Sequence, residues 1–411
     1  MTEREFAEAV IGLGGQLYVA GGWVRDRIIG RPAKDKDYVV CGLTAAQLSE
    51  NFSLRQIGQS FPVFQVELDG RECDLALART ERKTGHGYRG FEAIFSPETT
   101  IYEDLRRRDT TMNSMALRLP DMTLVDPFGG RNDIAHRVIR ATSEHFHDDP
   151  VRALRAARQS AELGFDVDGG TLKLMSECHA ELLEEPPERL FREMTRALSS
   201  PDPGRFFAAL NDAALLDVLF KDDSGKVISE PAQAALRRVL PSTDRPETRL
   251  AALLLASGVS AQAVEEFAAR LRFPSQWLRV ISFALSCPLA PRREETVELL
   301  ETIQRQSIDP HEIAEVFRAV YGTTPPFLTS YETYQDFLAR ERARLVFPAT
   351  LPPRERAVWL RRQLARALGE VQLGKPAEPP TGDVTSDASS ARRGTGCLTG
   401  AEAPPLGRKA P

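Results

Sequence analysis

The feature that most constrains this chain is a change of hydrophobic period part-way along it. From about Gln16 to Arg140, short β-rich runs (QLYVA, DYVVCG, FPVFQVEL, CDLALA, MTLVD) alternate with Gly, Asp and Pro punctuation and brief helical stretches. From about Asp149 onward the strand signals vanish. Segments such as VRALRAARQSAELGF, PERLFREMTRAL, TRLAALLLASG and EEFAARLRF instead repeat their apolar residues at helical spacing. The pattern predicts an α+β protein, an α/β head followed by an all-helical remainder. A length of 411 residues exceeds what one core usually serves, so at least two packed units are expected. Prolines at 201 to 203 and 241 to 246 mark candidate joints, and Asp309-Pro310 reads as a helix start. The stretch from about Lys375 has no periodicity and too little apolar area to offset its ordering entropy, so disorder is expected there.

Composition narrows the class without choosing a function. With 42% hydrophobic and 27% charged residues the chain reads as an ordinary soluble globular protein, not a fibrous one. A net charge of −5 argues only weakly against a protein coated in basic surface, because nucleic-acid enzymes can confine their positive charge to one cleft, so net charge alone decides little. The five cysteines (Cys41, Cys73, Cys178, Cys287, Cys397) show none of the close pairs of a zinc site or a disulfide framework, which points to a reducing compartment. The N-terminus lacks a basic-then-apolar leader and no run approaches the roughly 20 apolar residues of a membrane span. A cytoplasmic location, no membrane association and no obligate protein partner are expected.

Three blocks carry the chemistry. In AGGWVRDRIIGRPAKDKDYVV, Gly21 and Gly22 end a strand, Arg25 and Asp26 open a helix, and Asp35-x-Asp37 starts the next strand. Residues two apart on a strand share a side, so Asp35 and Asp37 are expected to project together as ligands for divalent metal, with Lys36 and Tyr38 turned away. Magnesium prefers carboxylate and phosphate oxygens, and such ions can activate an attacking hydroxyl while neutralising a departing pyrophosphate. The glycine pair allows backbone N–H groups close to a triphosphate, and Arg25 could grip it. An Asp-x-Asp pair alone is most often a turn or solvated surface; joined to Gly-Gly-x-Val-Arg-Asp it becomes specific. Asp74, on a strand face with Ala76 and Ala78, is a candidate third carboxylate, an acid at a strand edge being the plain alternative.

The second block, LRRRDTTMNSMAL, places Arg107, Arg108, Asp109 and Asn113 within two helical turns or a turn plus a helix. Guanidinium forks suit triphosphate oxygens, while Asp109 and Asn113 could bond sugar hydroxyls or hold the arginines. In the third block, HFHDDPVRALRAAR, Asp149 and Arg152 are expected at i and i+3 on a helix, working as one unit with Arg155 beyond them. Cytosine and adenine each offer a ring acceptor beside an exocyclic amine. An Arg donor and an Asp acceptor satisfy both, whereas uracil and guanine present the opposite pattern. Asp126, Gly130 and Asp133, then Glu188, Arg189 and Glu193, together with Asp148 and Arg158, are read as supporting residues. His145 and His147 have no further ligand cluster and are given no chemistry. Arg354, Arg356, Arg361, Arg362 and Arg366 surround Trp359 in a helical stretch, as a solvated face or as an RNA phosphate contact.

Over roughly residues 14–215 these motifs together resemble the bacterial class II CCA-adding tRNA nucleotidyltransferases of the polymerase-β-like superfamily. GGWVRDRIIG with KDKD looks like the metal and triphosphate motif, RRDTTMNSMA like the ribose motif, DPFGG like the flexible head element, DDPVRALRAAR like the base-reading helix and ERLFRE like the neck motif. The resemblance implies a palm-like head (1–140), a neck with the base-reading helix (141–215), a helical body (216–305), a helical tail with possible tRNA contact (306–374) and a disordered end (375–411). It also implies Mg2+ as cofactor and CTP, ATP and tRNA as substrates. The stretch from Arg79 to Arg106 is long enough for the loop that the family associates with switching from C to A, which speaks against a CC-only enzyme. This chain departs from the family pattern at Asp148 (usually Glu), Thr110 (usually aromatic or apolar), Gln159 (usually Phe) and Glu162 (usually Arg). Leu255 and Ala256 stand where enterobacterial relatives carry a His-Asp pair, so no phosphohydrolase activity is expected. Poly(A) polymerase, a split CC- or A-adding enzyme and a catalytically silent tRNA-binding protein are the alternatives.

Overall fold

The computed structural model describes residues 1–33, 35–57, 63–85 and 90–370, so the segment expected to be disordered from 375 lies outside the described residues. The head contains strands β1 (Gln16–Ala20), β2 (Asp37–Cys41), β3 (Arg55–Gln56), β4 (Val63–Leu68), β5 (Arg71–Leu77), β6 (Arg79–Lys83), β7 (Phe91–Phe95), β8 (Ala116–Arg118) and β9 (Thr123–Val125). Seven of them form one mixed sheet in the order β3-β4-β5-β2-β1-β8-β9, and β6 pairs with β7 alone. Only the β2–β5 pairing in this sheet is parallel. Helices α1 (Glu3–Gly12), α2 (Gly22–Ile29), α3 (Ala45–Asn51), α4 (Ile101–Arg106) and α5 (Gly130–His136) connect or cover the strands.

The two faces of the sheet differ in what they bury. Leu17, Val19, Tyr38, Val40, Phe64, Val66, Leu68, Leu75 and Leu77 alternate inward along their strands and join Phe6, Ala7 and Val10 of α1 in the main head core. The opposite face carries a smaller cluster of Ala20, Val39, Ala78, Leu105 and Ala116. Three of those five are alanines, so this face stays shallow and leaves room for a ligand.

The remainder is helical, as its period predicts, except that β10 (Val138–Ile139) and β11 (Asp166–Val167) form a short parallel pair. That second strand lies beyond the point where strand signals were expected to end. At two residues it is too short to leave a periodic trace. Helices α6 (Arg152–Leu163), α7 (Gly169–Glu177), α8 (His179–Glu184) and α9 (Pro187–Leu198) follow the head. One continuous apolar cluster then runs from Met112 and Ile139 through α6 and α9 to Leu364 and Leu368. Asp309-Pro310 starts a helix as expected, with Asp309 accepting from the His311 N–H, and the proline stretches at 201 to 203 and 241 to 246 lead into helices that begin at Gly204 and Pro246. Near the C-terminal end Arg361 is drawn into pairs with Glu298 and Glu301, whereas Arg362 and Arg366 face solvent. No helix among the described residues is long and apolar enough to cross a membrane.

Candidate active site

A cleft of about 690 Å³ lies between the alanine-lined sheet face and helices α6 and α9. Gly21, Gly22, Arg25 and Asp37 border it from the head, Arg108, Asp109 and Asn113 from the turn after α4, Asp149, Arg152, Arg155 and Arg158 from the third block, and Arg189 and Glu193 from α9. Folding thus gathers three blocks that lie well apart along the chain. Glu188 is not among them; it sits on the surface and pairs with Arg272.

At one end the cleft is built for close approach. Gly21 has φ +85°, and a Cβ there would lie 2.8 Å from Arg108 Nη1. Arg25 pairs with Asp26 at 2.8 Å and donates to the Asn113 side-chain oxygen at 2.9 Å. Arg108 is held by Asp104 at 3.0 Å, and Arg107 by the same carboxylate at 2.6 Å. Burial pushes the Asp104 pKa up, but Arg107 and Arg108 outweigh it and leave it at about 2. The arginines beside the glycine turn are therefore fixed by a buried anion.

Asp37 opens β2 and lies opposite Asp74 in the register with parallel β5. Asp35 precedes the strand, so the expected two-apart strand geometry applies only from Asp37 onward. Lys36 and Tyr38 do turn the other way, both reaching Glu3 of α1. Asp35, Asp37 and Asp74 border a second cavity of about 510 Å³, and Asp37 borders both. Crowding by the protein raises the Asp37 pKa although its carboxylate reaches solvent; Arg108 opposes that rise, and Asp74 and Asp35 reinforce it. Like charges held together in this way are a donor set suited to a divalent cation. Among the described residues, however, no three acidic, histidine or cysteine side chains converge to hold an ion. Carboxylates that border one cavity suit a divalent cation that completes its shell with other oxygens.

Asp109 is the hub of the cleft floor. It is 4% exposed and accepts from the Thr110 N–H, Asn113, Arg155 and Gln159. Burial would raise its pKa, but Arg155 first, then these hydrogen bonds, hold it far below the usual carboxylate range. The same pairing drives the Arg155 pKa up. Its lone pairs are thereby committed, so Asp109 anchors Arg155 and is not free for a sugar hydroxyl, one of the two roles open to it from sequence. Two of the departures from the family pattern meet here: the Thr110 hydroxyl donates to the Gln159 side-chain oxygen at 2.7 Å, and the Gln159 amide donates to Asp109 at 3.1 Å.

Asp149 and Arg152 border the same cleft but do not share a helix. Asp149 has extended backbone angles (φ −117°, ψ 104°), caps the Val151 N–H, and pairs with Arg189 of α9 at 2.8 Å. Arg152 begins α6 and reaches the His145 carbonyl and Glu81, the latter at 3.3 Å. The expected i, i+3 unit is therefore corrected: each member is oriented by a different third residue. Arg158 is held by Glu193 at 2.6 Å and by Glu162, and Asp148 by His145 at 2.9 Å. Asp126 accepts the N–H groups of Gly130 and Arg131, and Asp133 accepts from Thr111. A Cβ on Gly130 would stand 2.3 Å from the Thr111 carbonyl, so this α5–turn contact requires glycine.

Sequence reading missed Glu81. It lies on β6, 5% exposed at its side chain, and accepts from Arg79 and Arg107 as well as Arg152. Lys83, two residues on, pairs with Glu181 of α8 at 2.8 Å, so the β6–β7 hairpin is tied to the helices that follow the head. The alternation Arg79-x-Glu81-x-Lys83 was the available signal.

The sequence profile described as the Poly A polymerase head domain matches residues 17–140, and that described as a probable RNA and SrmB-binding site of polymerase A matches residues 164–223. The CCA-adding enzyme of Coxiella burnetii (strain RSA 331) is 37% identical over 265 residues, covering 64% of this chain and 68% of that enzyme. The chain belongs to the CCA-adding enzyme family. Within it, the multifunctional CCA protein of Nitrosococcus oceani is 42% identical over 257 residues, 62% of this chain and 61% of its own length. The fold is shared over a longer span. The Bacillus stearothermophilus CCA-adding enzyme, solved with CTP, superposes with a TM-score of 0.66 at 23% identity over 90% of this chain and 92% of that one. The Thermotoga maritima CCA-adding enzyme, solved with tRNA, superposes with a TM-score of 0.60 at 20% identity over the same shares.

Proposed function

We propose that this protein adds or repairs the 3′-terminal CCA of tRNA without a template, taking CTP and ATP as substrates. The observation that carries the reading is one cleft that joins the glycine turn, Arg25 and Asp37 of the head to Asp149, Arg152 and Arg155 beside α6. In the reaction the tRNA 3′-oxygen forms a bond to the nucleotide α-phosphorus while the bond to the β-phosphate oxygen breaks, and pyrophosphate leaves. Gly21 and Gly22 admit the triphosphate, and Arg25 and Arg108 supply fork-shaped donors to it. Asp35 and Asp37 hold a divalent metal, Mg2+, with Asp74 on the neighbouring strand as the third candidate carboxylate. When bound, that metal lowers the barrier by polarising phosphate and hydroxyl oxygens.

Asp149 and Arg152 read the Watson–Crick edge of the base, Asp149 set by Arg189 and Arg152 set by Glu81. Arg155, anchored on Asp109, completes the wall. The division into head (1–140), neck (141–215), body (216–305) and tail (306–374) follows from the same reading, with the tail offering a tRNA contact. The described cysteines are all unpaired, in keeping with a cytoplasmic enzyme. Exchange of Asp37 for Ala separates this reading from a silent tRNA-binding protein. Turnover on a tRNA transcript falls by at least about 10³-fold, a loss of roughly 4 kcal/mol of transition-state stabilisation, while tRNA binding persists. Unchanged turnover would reject the metal site.

A further inference from the structure

Ten arginines and six carboxylates line the cleft, a local excess of positive charge in a chain whose net charge is −5. Eight of those arginines are paired with carboxylates: Arg25 with Asp26, Arg79 and Arg152 with Glu81, Arg107 and Arg108 with Asp104, Arg155 with Asp109, Arg158 with Glu193 and Arg189 with Asp149. The other two, Arg192 and Arg196, have no ion pair with any described residue, and both are exposed.

These two stand one turn apart on α9, which buries Leu190, Met194, Ala197 and Leu198 away from the cleft and Glu193 beside them at the cleft wall. A chain of contacts locates them in the cleft. Arg25 bonds Asn113, Asn113 bonds Asp109, Asp109 holds Arg155, and one turn further along α6 Arg158 bonds Glu193, which Arg192 and Arg196 flank in sequence. Several side-chain layers thus separate them from the glycine turn and Asp37, where the nucleotide triphosphate is placed. Two side chains at i and i+4 carry their charges at a spacing similar to that of neighbouring phosphates in a single strand.

We propose that Arg192 and Arg196 form the docking rail for the phosphodiester backbone of the RNA strand whose 3′ end enters the cleft. The inference rests on the proposed function, because that reading supplies a substrate strand. The paired arginines have part of their charge balanced by a carboxylate and offer a phosphate only the N–H groups that their partners leave free. Arg192 and Arg196 need only release counterions, and that release makes strand affinity salt-dependent. The rail holds backbone and reads no base, so it serves every addition step alike.

The test compares the full-length wild type with R192A/R196A and with R192K/R196K, which keeps the charge. The probe is a tRNA transcript lacking CCA, with affinity followed by fluorescence anisotropy at several salt concentrations and KM measured separately for transcript and for CTP. The proposal expects weaker transcript binding in the alanine pair, with the slope of log K against log salt reduced by roughly 1.4, about 0.7 for each single-strand phosphate that is no longer neutralised. The KM for transcript rises while that for CTP stays within about two-fold, and the lysine pair recovers most of the affinity. An unchanged salt slope in the alanine pair, or a rise in the CTP KM instead, would overturn it. Failure of the wild type itself to extend the transcript would instead reject the function on which the inference rests.

Discussion

The Thr110–Gln159 pair offers a sharp test of how the cleft floor is held. Both residues are fully buried, and in this pair two departures from the family pattern hydrogen-bond each other. In Gln159→Leu, Asp109 loses the amide that reaches it at 3.1 Å, a hydrogen bond to a charged acceptor worth about 1.5–3 kcal/mol. In Thr110→Val, the Gln159 oxygen that accepted at 2.7 Å is left buried without a donor, at a cost of about 1–3 kcal/mol. Adding Gln159→Leu to Thr110→Val removes that orphaned oxygen, so the second change costs less than it does alone. The double variant should therefore be more stable than the sum of the singles by about 1–2 kcal/mol, within the range for residues in direct contact. Urea midpoints of the four proteins measure the cycle. Strict additivity would refute the reasoning, because it would mean that the two side chains do not depend on each other.

Two further predictions follow from the glycine turn and the buried anion. Gly21→Ala is strained by its positive φ and directs a methyl group at Arg108, so it should raise the KM for CTP; a KM equal to wild type would show that the close approach is dispensable. Asp104, with a folded pKa of about 2 against an unfolded value near 3.9, contributes stability that is complete above pH ~5 and lost as pH falls toward 2. The stability gap between wild type and D104N should accordingly narrow by about 2 kcal/mol across that window. A gap that stays constant would contradict the ion cluster.

Much of the cleft lining, from Gly21 and Asp37 to Asp149 and Arg152, was legible because each of the three sequence blocks sets particular residue types within a short span, whereas Glu81 of the same cleft was not. The helix start at Pro310 was legible from Asp309-Pro310, whereas the prolines at 241 to 246 marked only a joint, and a helix begins there at Pro246. The β6–β7 hairpin was not, because Arg79, Glu81 and Lys83 fill its inward positions with ion pairs and leave no apolar period to detect. The placement of Asp149 on the helix failed against a rule the sequence did carry: a residue before proline, here Pro150, is pushed out of the helical region. The Thr110–Gln159 and Asp109–Arg155 pairings join residues far apart in the chain, and no local pattern encodes them.

The most direct test of the account supplies purified protein and Mg2+ with a tRNA transcript lacking CCA, giving each nucleotide alone and then CTP with ATP. Growth by three nucleotides that stops at CCA is the predicted product. A long A tract would indicate a poly(A) polymerase. Arrest after CC with ATP present, or addition of A only to transcripts already ending in CC, would indicate a split enzyme, and no extension at all would contradict the central claim.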